Sequence, residues 1–441
     1  MPIAMPRQLR VMPAGVLILF LFSPRLLSAQ QADIPPAAPE QQDTQTSPSE
    51  QDRIVDGRPL LYGVRKTLQP FSWLATGVRP MLRGMEKVSI PKKSTDSASD
   101  SFGIKLGVRG HGQGSGLGPE VKFFHRDLFH KGIKAEVPLS VTYKRYQLAR
   151  FKVEFPVTGI GGQQVGFEWT GRYASRPSEN FFGIGNEASA GDKAEYRAVW
   201  REGGAGVITR MSDSWSLRLG ALYRSIGITR PRNFRSASDV FRDEPIPGLT
   251  VDPAAAFFVT TASLQHDTRD DANLSSRGGL QLAEASLNEA QTGGDFSYWA
   301  YRGELQQFFS LSDNGRNVIG IRGSIETNQP KGGSTIPFYV LPFIGSYSTL
   351  RGFENRRFVD RSAVMTTLEY RYRIWRHFDW GFFIDQAEVA PEVRNFAWDR
   401  LHRGYGMRFV VRARENRAFI IDMARSREEP FKLYVDFSPL F

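Results

Sequence analysis

Any chemistry in this 441-residue chain would have to come from six histidines, scattered arginines and carboxylates, and no cysteine at all. The histidines stand at 111, 125, 130, 266, 377 and 402. His125 and His130 lie beside a predicted turn, a placement that fits a membrane rim better than a metal. His266 with Asp267 is the pair closest to an acid–base relay, but no serine is spaced to join it. Gly112–Gly118 (GQGSGLG) lacks the spacing of a nucleophile elbow and reads as a hairpin. There is no H-E-x-x-H and no phosphate-binding loop. Without cysteine there is no thiolate zinc site, no disulfide framework and no cysteine nucleophile. The sequence therefore nominates no catalytic residue, no metal and no cofactor, and the chain is read as not an enzyme.

The elements that carry these residues are strands. After the N-terminus no apolar run reaches the ~18–20 residues that a membrane helix needs. The surplus of 11 positive charges is spread along the chain, which argues against nucleic acid as a partner. From Phe102 to Phe441 the pattern is period-two alternation in short stretches, punctuated by Gly, Pro, Asn and Asp. Val364, Thr366, Leu368, Tyr370, Tyr372 and Ile374 share one face, while Met365, Thr367, Glu369, Arg371 and Arg373 share the other. Phe382 and Ile384 likewise oppose Asp379 and Asp385. Charges in mid-strand beside glycine fit a membrane barrel with a polar lumen better than a soluble sandwich. Trp375, Trp380, Tyr370 and Tyr372 then read as interface belts.

The predicted strands are 102–111, 117–127, 132–145, 147–157, 163–174, 193–211, 214–228, 256–267, 279–289, 295–310, 316–327, 363–374, 377–389, 402–413, 417–425 and 431–440. The fold class is all-β, a 16-stranded antiparallel transmembrane β-barrel. With the N-terminus periplasmic, connections after odd strands face outward. These include 175–191, 229–255, 328–362 and 390–401, the longest in the chain, as expected of long outer loops and short inner turns.

Ahead of the barrel (102–441) come three other segments. Residues 1–29 read as a cleaved signal peptide, with Arg7 and Arg10 before an apolar core at 11–22 and small residues at Leu27-Ser28-Ala29. Residues 30–51 are a disordered leader poor in large apolar side chains. Residues 52–101 form a short periplasmic or plug segment with a linker.

Four motifs carry a resemblance. Leu350-Arg351-Gly352-Phe353, followed by Arg357, Phe358 and Asp360, lies in the connection between strands 11 and 12, the sixth outward loop. Asp267, Arg269, Asp270 and Gly278 form a D-x-R-D…G turn between strands 8 and 9. Phe181-Phe182-Gly183-Ile184-Gly185-Asn186 lies in the third outward loop. The last strand ends with Val435, Phe437 and Phe441 in alternation. Together these resemble the BamA/TamA family of outer-membrane assembly and transport barrels. The resemblance implies that loop six folds back into the lumen, with Arg351 latched onto Glu369 and Asp385. A guanidinium offers a rigid donor fork that two carboxylates can satisfy. It also implies that Val435, Phe437 and Phe441 form an insertion signal read by the barrel assembly machinery. Residues 52–101 leave no room for a complete POTRA domain.

The expected location is the outer membrane, with its lipid bilayer as the first partner. The expected task is assembly or translocation of outer-membrane or secreted client proteins, with the seam between first and last strands as the working gate. A passive channel or porin is the alternative reading, and an outer-membrane lipase a third.

Overall fold

A computed structural model describes residues 102–436, apart from 112–113, 161–162, 232–233, 250–253, 273, 376–377 and 413–417. The chain divides into units Met1–Thr67 and Leu68–Phe441, and only the second contains described residues. The signal peptide, the leader, the 52–101 segment, and Phe437 and Phe441 lie outside the described residues.

Among the described residues sixteen strands form the wall: β1 Phe102–Gly110, β2 Leu117–Leu128, β3 Ile133–Val141, β4 Gln147–Glu154, β5 Gln163–Phe181, β6 Ala194–Arg210, β7 Trp215–Thr229 and β8 Ala255–Asp267, then β9 Gly278–Thr292, β10 Tyr298–Ser310, β11 Asn317–Pro330, β12 Ser362–Trp375, β13 Phe378–Ala390, β14 His402–Arg412, β15 Ala418–Ser426 and β16 Lys432–Asp436. Each pairs antiparallel with the next. The wall is thus the expected all-β transmembrane barrel, every strand where the alternation placed one. Among the described residues no pairing joins β1 to β16.

Prolines account for two differences from the sequence reading. β4 breaks at Phe155–Val157, because Pro156 has no amide to donate. It resumes at Thr158–Ile160 against the same neighbour, β5. β5 itself does not end at residue 174 but continues to Phe181, carrying Pro177 in a bulge between Arg176 and Glu179. Smaller differences are a β3 that stops at Val141 and a β10 that starts at Tyr298.

The pleat separates two environments. On β12 Met365, Thr367, Glu369 and Arg371 are buried, whereas Leu368 is 50% exposed and Tyr370 37%. On β13 Phe383 and Asp385 are buried, and Phe382 and Ile384 are exposed. Exposed apolar side chains therefore face lipid, and the buried polar ones line the lumen. Trp215 stacks on His266 outside the wall, which explains that histidine without a relay.

The lumen is occupied from the outer end. Ile336, Phe338, Tyr339 and Leu341 of the long β11–β12 loop pack with Phe181, Tyr196, Phe257 and Tyr298 from the wall. Phe241 of the β7–β8 connection joins them, meeting Phe181 edge-on at 5.0 Å. Within the same loop, Phe343–Ile344 and Phe358–Val359 form a two-residue ribbon.

Leu368→Arg should separate these environments. At mid-strand on the lipid face it should cost about 2–4 kcal/mol, read by equilibrium unfolding in lipid bilayers. No loss of stability would mean that the faces are reversed.

Candidate functional site

The tip of the β11–β12 loop turns back on two glycines. Gly345 has φ +93° and Gly352 has φ +95°. A side chain at Gly352 would also come within 2.9 Å of the Arg425 backbone on β15. Between them the chain delivers Arg351 onto the inner wall, where it is fully buried.

A buried guanidinium needs its donors satisfied and its charge matched. Nε donates to Asp385 Oδ2 and Nη2 to Asp385 Oδ1, both at 2.7 Å, a bidentate fork. Nη1 donates to Asp422 Oδ2 at 3.2 Å, and the Arg351 amide donates to Asp385 Oδ2 at 3.1 Å. The guanidinium carbon lies 3.3 Å from the centre of the Phe383 ring, a cation–π placement. The Thr367 hydroxyl donates to Asp385 Oδ1 at 2.8 Å and so orients the main acceptor.

A second arginine balances the acids. Arg408 donates from Nε and Nη2 to Asp422 at 2.8 and 2.6 Å, and its Nη1 lies 2.8 Å from Glu369. Glu369, Asp385, Arg408 and Asp422 stand on β12, β13, β14 and β15 in turn. On β16 the Tyr434 hydroxyl accepts from the Gly352 amide at 3.0 Å and donates to the Phe353 carbonyl at 3.2 Å. Gly404 on β14 makes room for the tip, since a Cβ there would lie 1.8 Å from the Arg351 carbonyl oxygen.

The structure thus places Asp385 on Arg351, while Glu369 is 3.8 Å from Arg351 and serves mainly Arg408. Asp422, Arg408, Thr367 and Tyr434 were not anticipated. Leu350, Phe353 and Phe358 are buried with Ile344, Met365, Ala387 and Val389. Arg357 pairs with Glu429 at 2.9 Å and donates to the Ala188 carbonyl at 2.6 Å. Phe358 stacks on His402 at 3.8 Å. Asp360 stands apart from this cluster; burial pushes its carboxyl up, and its Oδ1 accepts from the Arg361 amide at 2.7 Å. Arg322 of β11 donates to the Ser348 carbonyl at 2.9 Å, bracing the tip from its other side.

The glycine-rich stretch after β5 holds the loop's return. The Gly185 amide donates to the Val359 carbonyl at 2.8 Å. Asn186 accepts from the Val389 amide at 3.0 Å and donates to the Arg400 carbonyl at 3.0 Å.

At the opposite end, the β8–β9 turn is closed by its own carboxylates. Arg269 donates to both oxygens of Asp267, at 2.9 and 2.8 Å. Asp270 accepts from the amides of Ser276 at 2.8 Å and Arg277 at 3.2 Å, and from the Ser276 hydroxyl. Gly278, at φ +82°, lies so close to Thr268 that a Cβ would be 2.0 Å from its carbonyl oxygen. The turn then crosses the lumen: Leu274 packs on Val410 and Ile420, and the Ser275 carbonyl accepts from Arg371. Val435 faces outward on β16, 43% exposed.

Residues 128–411 match the Omp85 superfamily domain. The chain belongs to the Omp85 superfamily. Its fold is similar to that of BamA from Haemophilus ducreyi lacking POTRA domains 1–3, with a TM-score of 0.57 at 13% identity over 77% of this chain and 69% of that one. CdiB from Escherichia coli aligns with a TM-score of 0.49 at 10% identity, over 82% of this chain and 69% of that one. CdiB from Acinetobacter baumannii aligns with a TM-score of 0.45 at 11% identity, over 77% of this chain and 63% of that one. No curated protein matches the sequence. Membership of the Omp85 superfamily places the barrel in the outer membrane.

Two outcomes follow from the geometry. Arg351→Ala leaves Asp385 buried without its cation and Asp422 with Arg408 alone, so it should cost about 3–5 kcal/mol in unfolding free energy. In the turn, burial pushes the Asp270 carboxyl up, but the hydrogen bonds from Ser276 and Arg277 outweigh it and hold it below its ordinary 3.8. A depressed folded value means that its stabilisation is present above 3.8 and lost as pH falls through the folded value. Asp270→Ala should therefore lower the Tm at neutral pH and leave it unchanged in strong acid.

Proposed function

We propose that this Omp85 barrel moves or inserts polypeptide at the outer membrane, with loop six latched inside the lumen by Arg351. The observation that supports this most is the burial of Arg351 against acids from several wall strands. A pore for small solutes works through an open lumen, and here the outer half is filled by the loop and its apolar clusters. An arginine held by Asp385 and Asp422 fixes the loop to β13 and β15, while Tyr434 ties the same tip to the last strand. The seam between β1 and β16 lies beside that tie, and it is the natural exit for a client strand. Residues 52–101 then act at the periplasmic side, as a plug or a resting segment, and the C-terminal signal of Val435, Phe437 and Phe441 serves the barrel's own insertion by the assembly machinery.

The test uses the mature protein in planar bilayers and in proteoliposomes. The wild type should show small, flickering conductance and should speed the insertion of an unfolded outer-membrane barrel added outside the vesicles. Arg351→Ala and Gly404→Ala should both raise conductance and slow insertion. The second variant displaces the tip by steric contact and leaves every charge in place. Large, steady conductance of the wild type with no effect on insertion would overturn the proposal in favour of a passive channel.

A further inference from the structure

One arginine stands on the wrong side of the wall. On β6 the pleat sends Glu202 to the lumen, where it pairs with Arg224 at 2.8 Å and Arg172 at 3.5 Å. Its neighbour Arg201 must then point outward. It lies opposite Tyr173 on β5 and Ser225 on β7, and it is exposed. Among the described residues it has no hydrogen bond and no ion pair. Arg197, two pleats further out on the same face, adds a second positive charge.

Next to Arg201 the wall is hollow. Phe151, Gly171, Gly203 and Tyr223 form the adjoining outward row. The Phe151 ring lies over Gly171, but nothing stands within 4 Å of where a Gly203 side chain would be. Gly203 forms part of the floor of a largely apolar, open hollow of about 560 Å³, flanked by Phe151, Tyr173 and Tyr223, with Arg201, Arg150 and Arg172 also in its lining. The one carboxylate in the lining is Glu202, which faces the lumen and is already paired.

Height in the membrane follows from the strand. Arg201 is the eighth of the seventeen residues of β6. On its periplasmic side the outward residues of β6 are Gly203, Ala205 and Val207, facing Tyr223, Ala221 and Leu219 on β7, whereas Arg201 itself faces Ser225. The run of apolar outward pairs thus first breaks at Arg201, as expected where acyl chains give way to head groups.

We propose that the outward face of β4–β7 is a binding site for one anionic, phosphate-bearing lipid of the outer leaflet, with an acyl chain over Gly203 and the phosphate on Arg201. The cation without a carboxylate selects a net negative head group. The side-chain-free floor between aromatic walls accepts a chain. Neither feature has a use within the protein itself.

Native mass spectrometry of the mature protein, released from micelles holding equal dimyristoyl phosphatidylglycerol and dimyristoyl phosphatidylcholine, tests this directly. The wild type should keep one phosphatidylglycerol, favoured over phosphatidylcholine by about fivefold or more. Arg201→Gln should abolish the preference and Arg201→Lys should retain part of it. Gly203→Leu should lose the adduct with the charge intact, and excess inorganic phosphate should not displace the lipid. Folded mobility on unheated gels confirms each variant. Equal retention of the two lipids, indifference to Arg201→Gln, or displacement by phosphate alone would each overturn the site. A protein dimer lost in Arg201→Gln, without any lipid adduct, would assign the face to a second copy of the chain.

Discussion

A guanidinium removed from water is costly unless every donor finds an acceptor, and Arg351 is wholly buried. Much of the outer half of the barrel can be understood as meeting that demand. Asp385 supplies both oxygens, Asp422 a third, and Phe383 the face of its ring. Three carboxylates so close would repel one another, so Arg408 stands between Asp422 and Glu369. Gly404 is needed because the loop carbonyl lies where a side chain would be. Removing any one of these leaves another group buried and unbalanced, which makes the arrangement all-or-none.

The loop that carries Arg351 is anchored at several points along its length. Its first half is held by aromatic packing against the inner faces of β5, β6, β8 and β10. Its tip is held by charge and its return by the Gly185 amide, while the Asn186 side chain ties that same segment to β13. The glycines after β5 matter for this reason: Gly183 and Gly185 have φ of +96° and +112°, and they steer that segment back over the lumen. The motifs at 181–186 and 350–360, far apart in the sequence, thus meet at one inward-folded loop.

Period two made the wall legible, because lipid on one face and a packed polar lumen on the other leave little freedom of register. The places where reading failed are local and have physical reasons. The predicted strand ends at residue 174, yet a bulge absorbs Pro177 and β5 continues to Phe181. Pro156 reads as strand interior, yet it breaks β4. At the site, Asp385 could be placed by motif and parity together. Asp422 could not, because no motif marks β15; its only signal is a carboxylate among Phe, Ile and Met in a strand whose alternation turns it inward. Glu369 has the right parity, but Arg408 lies closer to it than Arg351 does, and sequence spacing carries no such distance information.

The periplasmic turn between β8 and β9 has a mechanical consequence. By setting Leu274 on Val410 and Ile420 and the Ser275 carbonyl on Arg371, it braces the far wall from below, just as the loop tip braces it from above. The hydrogen bonds and ion pairs described for the tip also fall on β11 to β16 or on the segment after β5, and none falls on β1 to β4. Stiffness is therefore unevenly shared around the circumference. The C-terminal strands are thus braced across the lumen like a fixed jamb, whereas the four N-terminal strands hold to their neighbours by the ladder and by ion pairs along the wall, such as Arg109–Glu120, Lys122–Glu136 and Lys152–Glu168.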